Sequence, residues 1–138
     1  MAEWFAKLKA DFILNFIKED RWKLLVDGLG VTLTVTFFAL LIGVVTGIVL
    51  AAVRSTYDTN YERMHNPCAR AILKFFNALC RIYITVIRGT PVVVQLLILF
   101  FVVFVSSNNK VMVAALSFGF NSGAYVAEIF RGGIMSID

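Results

Sequence analysis

The chain has 138 residues, of which 59% are hydrophobic and only 16% charged, with a mean hydropathy of +0.82. A water-soluble domain of this length rarely carries so much apolar residue. The formal net charge of +4 is small and unevenly placed, which leaves a nucleic-acid reading without support. The 13 phenylalanines suit lipid contact better than a small soluble core.

Residues 1–27 mix charges with bulky apolar groups. Phe5, Leu8, Phe12 and Phe16 recur at helical spacing with Ile13 and Ile17 beside them, while Lys7, Asp11 and Lys18 fall elsewhere on the wheel. The pattern predicts an amphipathic helix, either in the membrane interface with Trp4 and Trp22 as headgroup anchors or packed on other protein. Residues 28–53 carry no charge. At about 1.5 Å per residue this run is roughly 39 Å long, enough to cross a bilayer with some tilt and much too long for the apolar part of a secretory signal. Gly43 and Gly47 form a small-xxx-small pair that lets another backbone approach. Thr32, Thr34 and Thr36 are expected to return their hydroxyls to their own helix.

Residues 54–88 form the polar segment. Asn66-Pro67 reads as a helix start, with Asn as cap and Pro in the first turn. Ile72, Phe75, Phe76, Leu79 and Tyr83 share one face and Arg70, Lys74, Asn77 and Arg81 another, which predicts a basic amphipathic helix on the cytosolic membrane surface. Arg88-Gly89-Thr90-Pro91 then reads as a junction. Gly89 suits a left-handed residue closing one helix, Thr90 a cap for the next, and Pro91 its first position.

The second span is expected over about 89–107, with Gln95 as its strongly polar interior residue. A turn at residues 106–110 precedes a third uncharged run, 111–127, lengthened by snorkelling of Lys110 and Glu128 into a span of about 111–128. The polar segment 54–88 holds six Lys and Arg against one in the 107–110 turn. The positive-inside rule therefore puts 54–88 in the cytosol and the N-terminus outside. The fold expected is an all-α membrane protein: an N-terminal amphipathic helix (1–27), three transmembrane helices, and one cytosolic amphipathic helix between the first and second spans. Cys68 and Cys80 then face a reducing compartment and are expected as free thiols.

Chemistry is sparse. Ser117, Asn121, Tyr125 and Glu128 step by four, four and three along one helix face. Polar groups in hydrocarbon usually face protein or a water-filled path. The stripe therefore lines a solute path or bonds between packed helices, and Gln95 faces the same choice. Glu128 is also placed to pair with Arg131. His65 and Cys68 have a spacing that a metal site uses, but a zinc site needs further ligands, so no metal is expected. There is no phosphate-binding loop of the Gly-x-x-x-x-Gly-Lys type. Asp58 and Glu62 read as a charge-balanced, solvated connector rather than an acid–base pair.

Four stretches carry a family resemblance: Asp27-Gly-Leu-Gly-Val-Thr-Leu-Thr-Val-Thr36, Ala52-Val-Arg-Ser55, Ile87-Arg-Gly-Thr-Pro-Val-Val-Val-Gln95 and Ala124-Tyr-Val-Ala-Glu-Ile-Phe-Arg-Gly-Gly-Ile134. In these the chain resembles the permease subunit of bacterial ABC importers for polar amino acids, the histidine/glutamine type. The resemblance implies a type I importer subunit of five spans with its N-terminus outside. It implies a second permease as homo- or heterodimer partner, cytosolic ATPase subunits that hold ATP and magnesium and do the hydrolysis, and an extracytoplasmic amino-acid-binding protein. It implies no cofactor in this chain itself. Residues 28–138 would form the N-terminal part of the transmembrane domain, truncated before the family's Glu-Ala-Ala ATPase docking loop. Apart from the resemblance, the polar stripe makes Asn121, Tyr125, Glu128 and Gln95 the candidates for the solute path. The other reading, from a different class, is a small complete membrane scaffold or regulatory subunit without transport activity; a membrane enzyme is a third, with no nucleophile–base set to support it. Coding sequence beyond Asp138 separates the first two.

Overall fold

The computed structural model describes residues 2–137, which are helical almost throughout and contain no strand. The helices are α1 (Ala2–Phe12), α2 (Trp22–Asn60), α3 (Pro67–Gly89), α4 (Val92–Ile98) and α5 (Lys110–Met135). The chain divides into two compact units, Met1–Thr34 and Val35–Asp138, with α2 contributing to both.

In the first unit the expected amphipathic helix is interrupted. After α1, Ile13–Ile17 is wound to the wider π pitch and Lys18–Asp20 forms a single 3-10 turn. Asp20 has a positive φ of 57°, which redirects the chain into α2, and its carboxylate accepts from Lys23 Nζ at 2.7 Å. Apolar side chains remain outward here, with Phe12 stacked on Phe16 at 4.8 Å between centroids. Thr32 and Thr34 donate to the carbonyls of Gly28 and Gly30, so these hydroxyls are satisfied within α2.

In the second unit, α2 buries Ala39, Gly43, Gly47, Ala51 and Ser55, a stripe of small residues at steps of four. Helix α5 answers with Ala115, Ser117, Gly119, Gly123, Ala124 and Ala127. A Cβ at Gly43 would lie 2.8 Å from Ser122 Cβ, and one at Gly47 2.4 Å from Val126 Cγ1. Reciprocally, a Cβ at Gly119 would lie 2.7 Å from Ile42 Cβ, and one at Gly123 3.0 Å from Thr46 Cβ. The two backbones meet through hydrogen atoms, the close approach that small residues permit. Residue numbers rise together along both helices, so α2 and α5 run parallel. Ile84 of α3 closes a small core with Ala124 and Ala127, packed by Leu50, Tyr83 and Ile87.

Two helices, α2 and α5, are long and apolar enough to cross a membrane. The region read as a second span, 89–107, holds no helix of that length. Helix α4 and the π-wound Leu99–Val103 after it make 12 helical residues, about 18 Å against a hydrocarbon core of about 30 Å. Taken together with α3, from which they bend by 108°, they pass the same test as a broken pair.

The start of α3 is as expected: Asn66 Oδ1 accepts from the Cys68 amide at 3.0 Å and Pro67 occupies the first turn. The α3–α4 junction is built differently from the expectation. Gly89 is the last helical residue, and no glycine among the described residues has a positive φ. Thr90 ends the helix in an extended conformation (φ −116°, ψ 144°), because a residue before proline is driven out of the helical region. Pro91 is itself the cap of α4 rather than its first residue. The Thr90 hydroxyl, expected to cap α4, instead donates back to the Val86 carbonyl at 2.9 Å.

Candidate functional site

The polar groups gather at two levels against α5. At the upper one, Gln95 of α4 reaches back across the junction. Its Nε2 has three acceptors in range: the carbonyls of Ile87 (2.7 Å) and Thr90 (3.0 Å) and Thr90 Oγ1 (2.6 Å). The two carbonyls belong to the end of α3, where no intrahelical donor remains, so Gln95 acts as the missing cap. Its Oε1 accepts from Asn121 Nδ2 at 3.1 Å. Nearby, the Tyr83 hydroxyl donates to the Phe120 carbonyl at 2.6 Å. Gln95 and Asn121 are thus hydrogen-bonded to each other and fasten α4 to α5.

The lower level is charged. Glu128 of α5 lies between two arginines from different helices: Oε1 is 2.8 Å from Arg54 Nη1 of α2, and Oε2 is 3.8 Å from Arg88 Nη1 of α3. The Arg54 and Glu128 side chains are 16% and 28% exposed, dry enough that their attraction is screened much less than on an open surface. Arg88 is nearly half exposed and lies over the Tyr125 ring, 5.5 Å from its centroid. The pairing of Glu128 with Arg131 expected from their spacing does not occur. Arg131 bonds Asp58 instead, at 2.7 Å. Asp58 is correspondingly no part of a loop: it sits in the last turns of α2, and its side chain is 24% exposed. The reason is geometric. With α2 and α5 parallel and nearly touching, Asp58 and Glu128 each pair with an arginine of the other helix.

Around these groups opens a cleft of about 450 Å³ lined by Arg54, Arg81, Thr85, Arg88, Tyr125 and Glu128 among others. Of the candidate stripe, Tyr125 and Glu128 face this cleft. Asn121 lies one turn away on Gln95, and Ser117 is buried and donates to Val113 of its own helix at 2.7 Å. The junction residues Arg88 and Gly89 also line the cleft. His65 is exposed, with Nδ1 3.1 Å from the Arg63 carbonyl. Cys68 is exposed and Cys80 buried, both as free thiols. Among the described residues no group of three His, Cys, Asp or Glu is placed to hold a metal ion.

The sequence reading missed Arg54, Arg81 and Thr85 as parts of one site. A signal existed for Arg54. It ends one uncharged run as Glu128 ends another, and two spans running the same way bring such terminal charges to one side.

Curated relatives of the chain are transport-system permeases. A Rickettsia prowazekii protein assigned as a glutamine transport system permease is 34% identical over 117 residues, covering 83% of this chain and 47% of the relative. The Bacillus subtilis arginine transport system permease is 31% identical over 117 residues, with the same shares covered. The Escherichia coli glutamine transport system permease is 32% identical over 118 residues, again with 83% and 47% covered. The chain spans about half the length of the curated relatives it matches. No protein-family model and no solved structure matches it. The extent of these similarities leads to one conclusion: the chain belongs with the permease subunits of bacterial amino-acid ABC transport systems.

Proposed function

We propose that the chain forms part of the membrane pathway of an ATP-driven importer for polar amino acids, working in a permease pair. The observation that carries this reading is the similarity, over 83% of the chain, to permeases named for glutamine and arginine transport. In this reading ATP and magnesium are held by separate cytosolic ATPase subunits, and an extracytoplasmic binding protein delivers the solute. The chain itself supplies a path and its moving walls.

The parallel packing of α2 and α5 supports a three-crossing arrangement. Two parallel helices that both cross a membrane require the chain between them to cross back. The bent α3–α4 pair is that return, giving three crossings. With the N-terminus outside, Arg54 at the foot of α2, Glu128 and Arg131 near the end of α5, and the basic face of α3 all lie at the cytosolic headgroup level, as the positive-inside rule prefers. Asn121, Tyr125 and Glu128, with Gln95, mark the face of α5 turned toward the path.

The test is uptake by the full-length product, co-expressed with its ATPase and reconstituted in vesicles with the binding protein and labelled solute outside and ATP in the lumen. ATP-dependent accumulation of labelled glutamine, histidine or arginine is expected. A full-length protein that copurifies no ATPase and accumulates none of these would leave the scaffold reading in its place.

A further inference from the structure

The Glu128 cleft has a neighbour. On α3, Ala78, Ile82 and Val86 stand one turn apart and, with Arg81 and Thr85, line a second groove of about 330 Å³. Arg81 and Thr85 belong to both depressions. One side of this shared wall is polar and holds three guanidinium groups against a single carboxylate among the lining residues. The other side is apolar. Glu128 is already engaged at 2.8 Å by Arg54 and is 3.8 Å from Arg88. Arg81 is exposed and has no ion pair among the described residues. The cleft therefore carries uncompensated positive charge, with a hydroxyl donor, Thr85, between Arg81 and Arg88 on the same helix face.

We infer that this two-part site binds one anionic phospholipid of the cytosolic leaflet. Its phosphodiester lies over Thr85 between Arg81 and Arg88, and an acyl chain lies along Ala78, Ile82 and Val86. Arginine suits the head because its planar donors match phosphate oxygens, and basic pockets between membrane helices at this depth recognise acidic headgroups. The apolar half selects a lipid over a free amino-acid carboxylate or inorganic phosphate, which have nothing to place there. Binding would engage Arg88, the more exposed of the two arginines at Glu128. The inference rests on the chain being a membrane protein with 54–88 cytosolic, and not on which solute it carries.

The experiment is native mass spectrometry of the purified full-length permease complex titrated with phosphatidylglycerol or phosphatidylcholine of the same acyl chains. Phosphatidylglycerol is expected to bind several-fold more tightly. Arg81→Gln should weaken it roughly five-fold, as one lost cation near a membrane surface does, and leave phosphatidylcholine unchanged. Arg81→Lys, which keeps the charge but not the planar fork, should recover part of the loss, and Lys74→Gln, on the same helix but outside the cleft, should have little effect. Equal binding of the two lipids overturns the proposal, as does an Arg81→Gln protein that binds like wild type or a Lys74→Gln loss as large as that of Arg81→Gln. Displacement of phosphatidylglycerol by millimolar glutamine or inorganic phosphate would also overturn it and make the cleft a small-anion site. Neither ATP nor uptake enters the readout, so failure of lipid binding and failure of transport are scored separately.

Discussion

Glu128 and Arg54 are 74 positions apart in the chain and 2.8 Å apart in the fold. Replacing Glu128 by Gln leaves a largely buried guanidinium without a counter-charge, and Arg88 does not relieve it. Exposed pairs contribute up to about 1 kcal/mol and breaking a buried one costs about 3–5 kcal/mol. For this partly buried pair a loss of about 2 kcal/mol is expected, read as a lower unfolding midpoint of the full-length protein in detergent. The same variant tests the path: unchanged uptake of every amino acid tried would remove Glu128 from it.

Gly47→Ala places a methyl group 2.4 Å from Val126 Cγ1 and 3.1 Å from the Ala127 amide. Overpacking of this kind costs about 1–3 kcal/mol, and chemical denaturation should show it. Gly28→Ala is the contrast, since nothing lies within 4 Å of a Cβ there. That variant should be neutral or gain up to about 1 kcal/mol from helix propensity.

Gln95→Leu removes the donor to the Ile87 and Thr90 carbonyls and strands Asn121. Leaving such groups unsatisfied costs about 1–3 kcal/mol. Faster hydrogen exchange confined to the α3–α4 junction is expected. Asn121→Ala should add little once Gln95 is gone, because the two share one bond; full additivity in a double-mutant cycle would contradict that bond.

Asn109 Oδ1 accepts from the Met112 amide at 3.0 Å and caps α5. Asn109→Ala should destabilise by about 1 kcal/mol, and Asn109→Asp, which keeps the acceptor, should not.

Much of this fold could be read before any coordinates. The uncharged run 28–53 located the apolar stretch of α2, Gly43 and Gly47 marked its packing seam, and Asn66-Pro67 marked the start of α3. These features are local, set by hydropathy, side-chain size and capping chemistry. What escaped was set by partners distant in sequence. Arg131 looked like the natural mate of Glu128 until parallel packing brought Asp58 and Arg54 nearer. Gly89 looked like a helix terminator, but the proline two residues on ends the helix at Thr90. The region read as the second span is broken into α4 and a π turn, bent by 108° from α3, because hydropathy counts apolar residues without seeing where the backbone bends. The face of α3 was also read in part only. Ile72, Phe75 and Phe76 point outward, while Cys80 and Ile84 face the protein.

The glycine seam also restricts how the molecule can work. A slip of α2 along α5 by even one residue would drive Ile42 or Val126 into a place where only a hydrogen atom fits. These two helices are therefore keyed in register and must travel as one piece. Any opening and closing has to be taken up elsewhere, and the extended peptide at Thr90–Pro91 is one break between helices where it can occur. An engineered crosslink between α2 and α5 should then leave transport intact, while one spanning that break should arrest it.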